Sequence, residues 1–426
     1  QDPATLIDIF LFTNVFACFL EPYAISKFGL RIPIVAAAAC MAVGCTLRSG
    51  GLPFIGDAAL PGYSTCVAGT MLVAVAQPFF QCTPPLLSAT WFAPDERALA
   101  TATAINFNQV GIAAAFLLGG AIDQSAAGLQ VYFLGITAAA FFVLLCSSFF
   151  FQERPPTPPS ASELEKANNA ASSGGLLTQA SGSPAAEKEG VNFIEQAGEL
   201  IRTPGFIPPL TAFVTSIAVT NVVGAFMDQK LRSAGFTQAT EVDYAGAGFE
   251  LAIVIGGIIL GGVVDRNKEY KAVTLACLAL TIVGVLLLGL DSVPRQLALV
   301  ALLAIGAFAG PVQPINAELA VEVTFPADEN AIEAVQQLCG NLVSALLVPL
   351  CEWAAGYSFG LPGFSQGLKG DTILLLSLLI VVTAYFSSFS APLRRTEVDE
   401  ANCVIEAAED TAVRDNESEL LAKDSK

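Results

Sequence analysis

Amide side chains stand at several places where this chain is otherwise apolar. Asn108 and Gln109 fall about midway along one hydrophobic run, Asn341 somewhat less deep in another, and Asn221 deep in a third. Gln313 and Asn316 sit in a fourth, beside Pro311 and Pro314. A polar side chain at the centre of a bilayer is costly, so it turns toward the interior of a helix bundle. There it can hold a polar solute, or it can bond a neighbouring helix at about 1 kcal/mol per contact. Both readings stand for these amides. The two prolines expose backbone carbonyls to solute, or simply kink the helix.

Charged residues add two further possibilities. Glu250 lies in the outer third of an apolar run. A carboxylate there is costly to keep ionised, which suits a proton or cation coupling site, but a solvated residue near the exit fits as well. Glu318 and Glu322 are spaced i, i+4 and share a helix face near one end of their run. Arg97 and Arg266 are predicted at the same depth. The expectation is a gate whose charges pair across the molecule when it closes and part when it opens. Ordinary pairing at the membrane edge is the alternative.

Other chemistry is poorly supplied. The chain has no histidine, and its ten cysteines are scattered with no C-x-x-C pair. Imidazole ligands, Ser-His or Cys-His nucleophiles and zinc frameworks are therefore not expected. We expect no cofactor, no metal and no enzyme. The net charge is −18, with much of the acid after Pro392, which reads as a solvated tail and excludes a nucleic-acid partner.

The elements that must position these residues are membrane helices. The 426 residues are 54% hydrophobic and only 14% charged, with mean hydropathy +0.62. Eleven spans are predicted at roughly 4–26, 32–48, 65–89, 98–122, 129–151, 205–228, 244–264, 272–290, 296–320, 332–355 and 371–391, each about long enough for a ~30 Å hydrocarbon layer. Lys27, Arg31, Arg97, Arg154, Lys166, Lys188, Arg202, Arg266, Lys268, Lys271, Arg394 and Arg395 fall on one set of connections, so that set is expected in the cytoplasm with the C-terminus. The first residue then lies outside, and one further helix before Gln1 would complete twelve. We read 1–151 as an N-terminal bundle, 205–391 as a C-terminal bundle and 392–426 as a disordered acidic tail. The linker 152–204 is rich in Pro, Ala, Ser and Gly and is mostly disordered in this reading, with a short helix on the membrane surface near 191–202.

The halves echo one another. Trp91-Phe92-Ala93-Pro94-Asp95-Glu96-Arg97-Ala98 corresponds to Thr324-Phe325-Pro326-Ala327-Asp328-Glu329-Asn330-Ala331, and the alignment sets Asn108 opposite Asn341. Two similar halves joined by a long linker fit a transporter whose bundles rock about a central site. The whole chain resembles the major facilitator superfamily. Gly261–Arg266, ending in Asp265-Arg266, looks like that superfamily's loop signature and adds Asp265 to the gating set. Ser26 replaces the Asp expected in the first copy. Trp91-Phe92-x-Pro94, Asn108-Gln109-Val110-Gly111 and Glu318-Leu-Ala-Val-Glu322-Val-Thr324-Phe325-Pro326 resemble the feline leukaemia virus subgroup C receptor family.

That resemblance implies an all-α membrane protein with two pseudo-symmetric bundles and a small organic solute: a choline-like amine, a pyridoxine-like vitamin or haem. It implies that Gln109 lines the cavity. Asn341 stands where the family usually has Gln, one methylene longer. The span holding Asn221 gives the family an aromatic for a quaternary-ammonium cage; here it offers only Phe213 and Phe226. The expected activity is facilitated or secondary-active transport by a monomer. A receptor or scaffold of the same fold that does not transport is the alternative.

Overall fold

A computed structural model describes residues 3–51, 60–92, 97–122, 125–157, 193–290, 293–327, 329–360 and 367–397. The first part of the chain forms α1 (Pro3–Phe28), α2 (Arg31–Ser49), α3 (Tyr63–Ala76), α4 (Pro78–Gln81), α5 (Pro84–Trp91), α6 (Arg97–Ala121) and α7 (Ala126–Phe150). After the short α8 (Phe193–Arg202) come α9 (Ile207–Ser233), α10 (Ala239–Asn267), α11 (Tyr270–Leu288), α12 (Arg295–Thr324), α13 (Glu329–Ala354) and α14 (Gly370–Ser387). Among the described residues, eleven helical segments are long and apolar enough to cross a membrane, one for each predicted span. Helices are required there because hydrocarbon offers backbone N–H and C=O groups no other partner. Among the described residues, the one ribbon added to the helices is an antiparallel pair of β1 (Ser358–Gly360) and β2 (Gly367–Lys369) between α13 and α14.

Proline acts in two ways. Pro78 and Pro84 each open a new helix, so the third span is broken into α3, α4 and α5. At a first helical position the missing N–H removes no bond. Pro311 and Pro314 lie inside an unbroken α12, where Ser216 of α9 donates its hydroxyl to the Ala309 carbonyl at 2.6 Å. Tight packing holds that helix in one piece. Gly306 stands against the Phe249 carbonyl, and Gly256 against Pro311 and the Ala307 carbonyl, so α10 and α12 meet backbone to backbone.

Helices α2, α3, α7 and α1 pack together, while α9 to α14 surround a second core centred on α12. Helix α6 packs on α5, and the main contacts between the halves run along two seams, α1 against α13 and α6 against α10. At the end carrying the basic connections, Glu153 accepts the backbone N–H groups of Leu30 (2.8 Å) and Arg31 (2.7 Å), capping α2. The predicted surface helix is α8. Its Phe193 and Leu200 are buried against the bundle, Phe193 meeting Phe19 of α1 edge-on at 5.9 Å, while Ile194 and Ile201 remain exposed. The rest of the expected linker, 158–192, and the acidic tail beyond 397 lie outside the described residues.

At the opposite end, Lys230 of α9 binds Asp371 of α14 at 2.7 Å, both largely buried. Removing one member of a buried ion pair strands the other. Lys230→Met is expected to destabilise the protein by about 3 kcal/mol, and Lys230→Met with Asp371→Leu to recover most of that loss. Thermal unfolding of both variants in detergent checks this. A double variant as unstable as the single one refutes it.

Candidate solute site between the two halves

Asn14, missed in the sequence, is the hub of the α1–α13 seam. It is fully buried. Its Oδ1 accepts the Asn341 Nδ2 from the second half at 2.7 Å, and its own Nδ2 donates to Gln77 Oε1 at 2.8 Å. Cys18 Sγ lies 3.6 Å from the same Asn14 oxygen. Asn341 is twelve residues into α13, about 18 Å from its start at 1.5 Å per residue, which is mid-bilayer depth. The antiparallel register set by Asn14 and Asn341 brings Glu21 level with Glu333, nearer the basic end. Both carboxylates are buried, and Gln337 Nε2 donates to Glu333 Oε1 at 3.0 Å. Asn14, Cys18 and Glu21 are spaced i, i+4, i+7, and Glu333, Gln337 and Asn341 i, i+4, i+8. That spacing was the available signal for a polar stripe on each helix.

In the other seam, Gly120 of α6 lies against Asp243 of α10, Phe116 against Gly246, and Asn106 against Gly257. Asp243, Gly246, Glu250 and Gly257 fall on one face of α10, so this register sets Glu250 opposite Ala113. Gln109 lies on the same face of α6 as Asn106 and Phe116, one turn from Glu250, about 6 Å along the axis. Glu250 is buried, and its Oε2 has no hydrogen-bond partner among the described residues. Gln109 is half-buried, whereas Asn108 is exposed on a face turned away from α10. The structure thus brings Gln109 and Glu250 together, leaves Asn108 out and adds Asn106, which the i, i+3 spacing to Gln109 would have revealed.

The remaining expected residues serve the second half internally. Asn221 donates to Ser344 Oγ at 3.0 Å. Asn316 is fully buried, its amide nitrogen bonded to Thr274 Oγ1 (3.1 Å) and the Val312 carbonyl (2.8 Å), and it faces α11 rather than a seam. Gln313 is half-buried. Glu322 receives Thr396 and Glu318 lies 3.4 Å from Arg395, so the two glutamates of the expected gate engage the chain's own C-terminal segment. Arg266 is exposed. The side chains of Arg97 and Asp265 lie outside the described residues. Along α1 and α3 runs a groove of about 570 Å³ lined by Phe12, Phe16, Leu20, Met71 and Val75 among others, an apolar wall rather than a polar site.

Among the described residues, eleven helices of membrane-spanning length and two seams holding buried polar groups fit a multi-pass integral membrane protein. The sequence matches the Major Facilitator Superfamily over residues 4–349, and the chain belongs to that family. It is 24% identical to the choline/ethanolamine transporter flvcr2b of Danio rerio, covering 91% of this chain and 75% of that one. It is 27% identical to solute carrier family 49 member A3 of the same fish, covering 81% and 68%. An uncharacterised MFS-type transporter of Caenorhabditis elegans is 23% identical over 94% of this chain, which spans 64% of that protein's length. Among solved structures, the proton:xylose symporter XylE of E. coli superposes with TM-score 0.65 at 15% identity over 92% of this chain and 88% of that one. The transporter FucP in its outward conformation gives 0.63 at 13% identity over 91% of each chain. These likenesses establish the fold.

If the Asn14–Asn341 bond joins the halves, a double-mutant cycle with Asn14→Ala and Asn341→Ala should return a coupling of about 1 kcal/mol in thermal or denaturant unfolding. Strict additivity would show that the two amides do not interact.

Proposed function

We propose that this transporter carries a small, positively charged organic solute by alternating access between its two halves. The observation that supports this reading is the sign of charge in the seams. Glu21, Glu250 and Glu333 are buried there with Asn14, Asn106 and Asn341. Every Lys and Arg among the described residues lies in a connection or within about a turn of a helix end, as Glu333 nearly does, whereas Glu21 and Glu250 lie deeper. In a low dielectric, a fixed cation gains from such carboxylates, while an anion finds no counter-charge.

Choline and ethanolamine, named for the fish and human relatives, carry that charge. A pyridoxine-like vitamin in its cationic form is compatible. Haem fits least, because its two propionates require bases. The cage available to a quaternary amine differs from an aromatic one: Phe213 is fully buried and Phe226 packs on the second core. Gln109, the other seam amides and Glu250 hold the solute in our reading. With one oxygen lacking a hydrogen bond, Glu250 takes a proton or the solute's charge, which makes it the coupling residue.

The moving units are 1–151 and 205–391, joined by 152–204; of the expected disordered tail 392–426, residues 393–396 instead pack onto the second half. The basic end faces the cytoplasm by the positive-inside rule, and the working unit is a monomer.

Uptake of radiolabelled choline, ethanolamine and pyridoxine into liposomes holding the full-length protein is the test. We expect saturable uptake of at least one, reduced about three- to tenfold by Gln109→Ala, the effect of one lost hydrogen bond. Glu250→Gln should abolish the response of flux to an imposed pH gradient. Uptake of all three no faster than in empty liposomes would sink the substrate class; undiminished flux through Gln109→Ala would discard the site.

A further inference from the structure

Past α14 the chain turns back across the basic end of the second half. Lys271 of α11 donates to the Phe389 carbonyl at 2.7 Å. Ala391 lies against Gly205, whose φ of +94° and lack of a side chain admit it before α9. Leu393 packs on the second core. Arg395 Nη1 lies 3.4 Å from Glu318 of α12 and 3.7 Å from Glu329 of α13. Thr396 then donates its backbone N–H (3.0 Å) and its hydroxyl (2.9 Å) to a single oxygen of Glu322, a carboxylate only 4% exposed. Residues 389–397 are therefore a strap fastening the ends of α9, α11, α12 and α13.

We propose that Thr396 is a phosphorylation site and that a phosphate there releases this strap. Thr396 is followed by Glu397, Asp399 and Glu400, the acidic pattern that a Ser/Thr kinase with a basic substrate groove selects by charge. The γ-phosphoryl of ATP would pass to Oγ1: the new O–P bond forms as the bond to the β-phosphate oxygen breaks, ADP leaves, and the hydroxyl proton goes to the kinase's base. The product has lost the hydroxyl, one of the two donors that Glu322 now accepts. It also sets a charge of about −1.5 to −2 against that buried carboxylate, with Glu318 and Glu329 close by, and like charges at that distance separate. Release loosens α12 and α13, and α13 is the helix that carries Asn341 into the seam.

The proposal rests on the basic end facing the cytoplasm, where kinases and ATP are. The test treats full-length purified protein with ATP and an acidophilic kinase of the casein-kinase-2 type, followed by peptide mass spectrometry and hydrogen exchange. Phosphate is expected on Thr396 and absent from that peptide in Thr396→Val. Exchange across 393–397 should then rise at least about tenfold, the scale of losing hydrogen bonds to a charged acceptor. Glu322→Gln, which keeps an acceptor but removes the charge, should blunt that rise. Phosphate only on other hydroxyls of the tail overturns the site. Phosphate on Thr396 with unchanged or slower exchange, as when Arg394 or Arg395 captures it, overturns the release. Sidedness is read separately from antibody access to a C-terminal tag in intact cells: an external tag defeats kinase access and the orientation, whatever the strap does in vitro.

Discussion

Inside hydrocarbon a polar side chain has no water to turn to, so it must meet another polar group or a passing solute. This constraint organises the molecule. Within the second half the polar groups are paired off locally: Asn221 with Ser344, Asn316 with Thr274, Ser216 with the Ala309 carbonyl. Between the halves, satisfaction depends on the other half being in place. Asn341 has its bond only while α13 lies against α1. In the proposed cycle, the groups of this bond become available to a solute when the halves part. Binding and movement draw on one set of atoms in that proposal, as alternating access requires.

The two seams divide the work unequally. The α1–α13 seam holds a connected network of amides with carboxylates toward the basic end. The α6–α10 seam is made of glycines facing side chains, with Gln109 and Glu250 a turn apart. One seam locks through hydrogen bonds, and the other allows close approach around a single buried acid. Neither seam contains a base at depth. That absence among the described residues gives the interior its sign, and it follows from composition, since the basic residues are confined to helix ends where they orient the chain.

Much of this was legible in the sequence. Apolar runs that lack charge mark the spans directly, because the length of hydrocarbon to be crossed leaves little freedom. The broken third span was harder: Pro78 and Pro84 divide it, yet Pro311 and Pro314 leave α12 whole, and only the packing of neighbours distinguishes the two cases. Polar residues were legible as types but not as faces. In Ile105-Asn106-Phe107-Asn108-Gln109 three amides crowd five positions, and helix rotation sends 106 and 109 to α10 while 108 turns away. Asn14 escaped notice because its partner lies 327 residues distant. Glu318 and Glu322 were rightly placed on one face, but the strap that meets them returns from beyond the last span, and no periodicity announces a segment folding back.

The cap that Glu153 places on α2 also has a mechanical meaning. It ties the stretch just after α7 to the hairpin between α1 and α2, and α2 already packs along α7. Sliding α2 lengthwise past α7 would break two charge-assisted bonds at once. The first half is therefore stiff along its axis, and a tug on the chain leaving α7 is delivered to the tip of the α1–α2 hairpin.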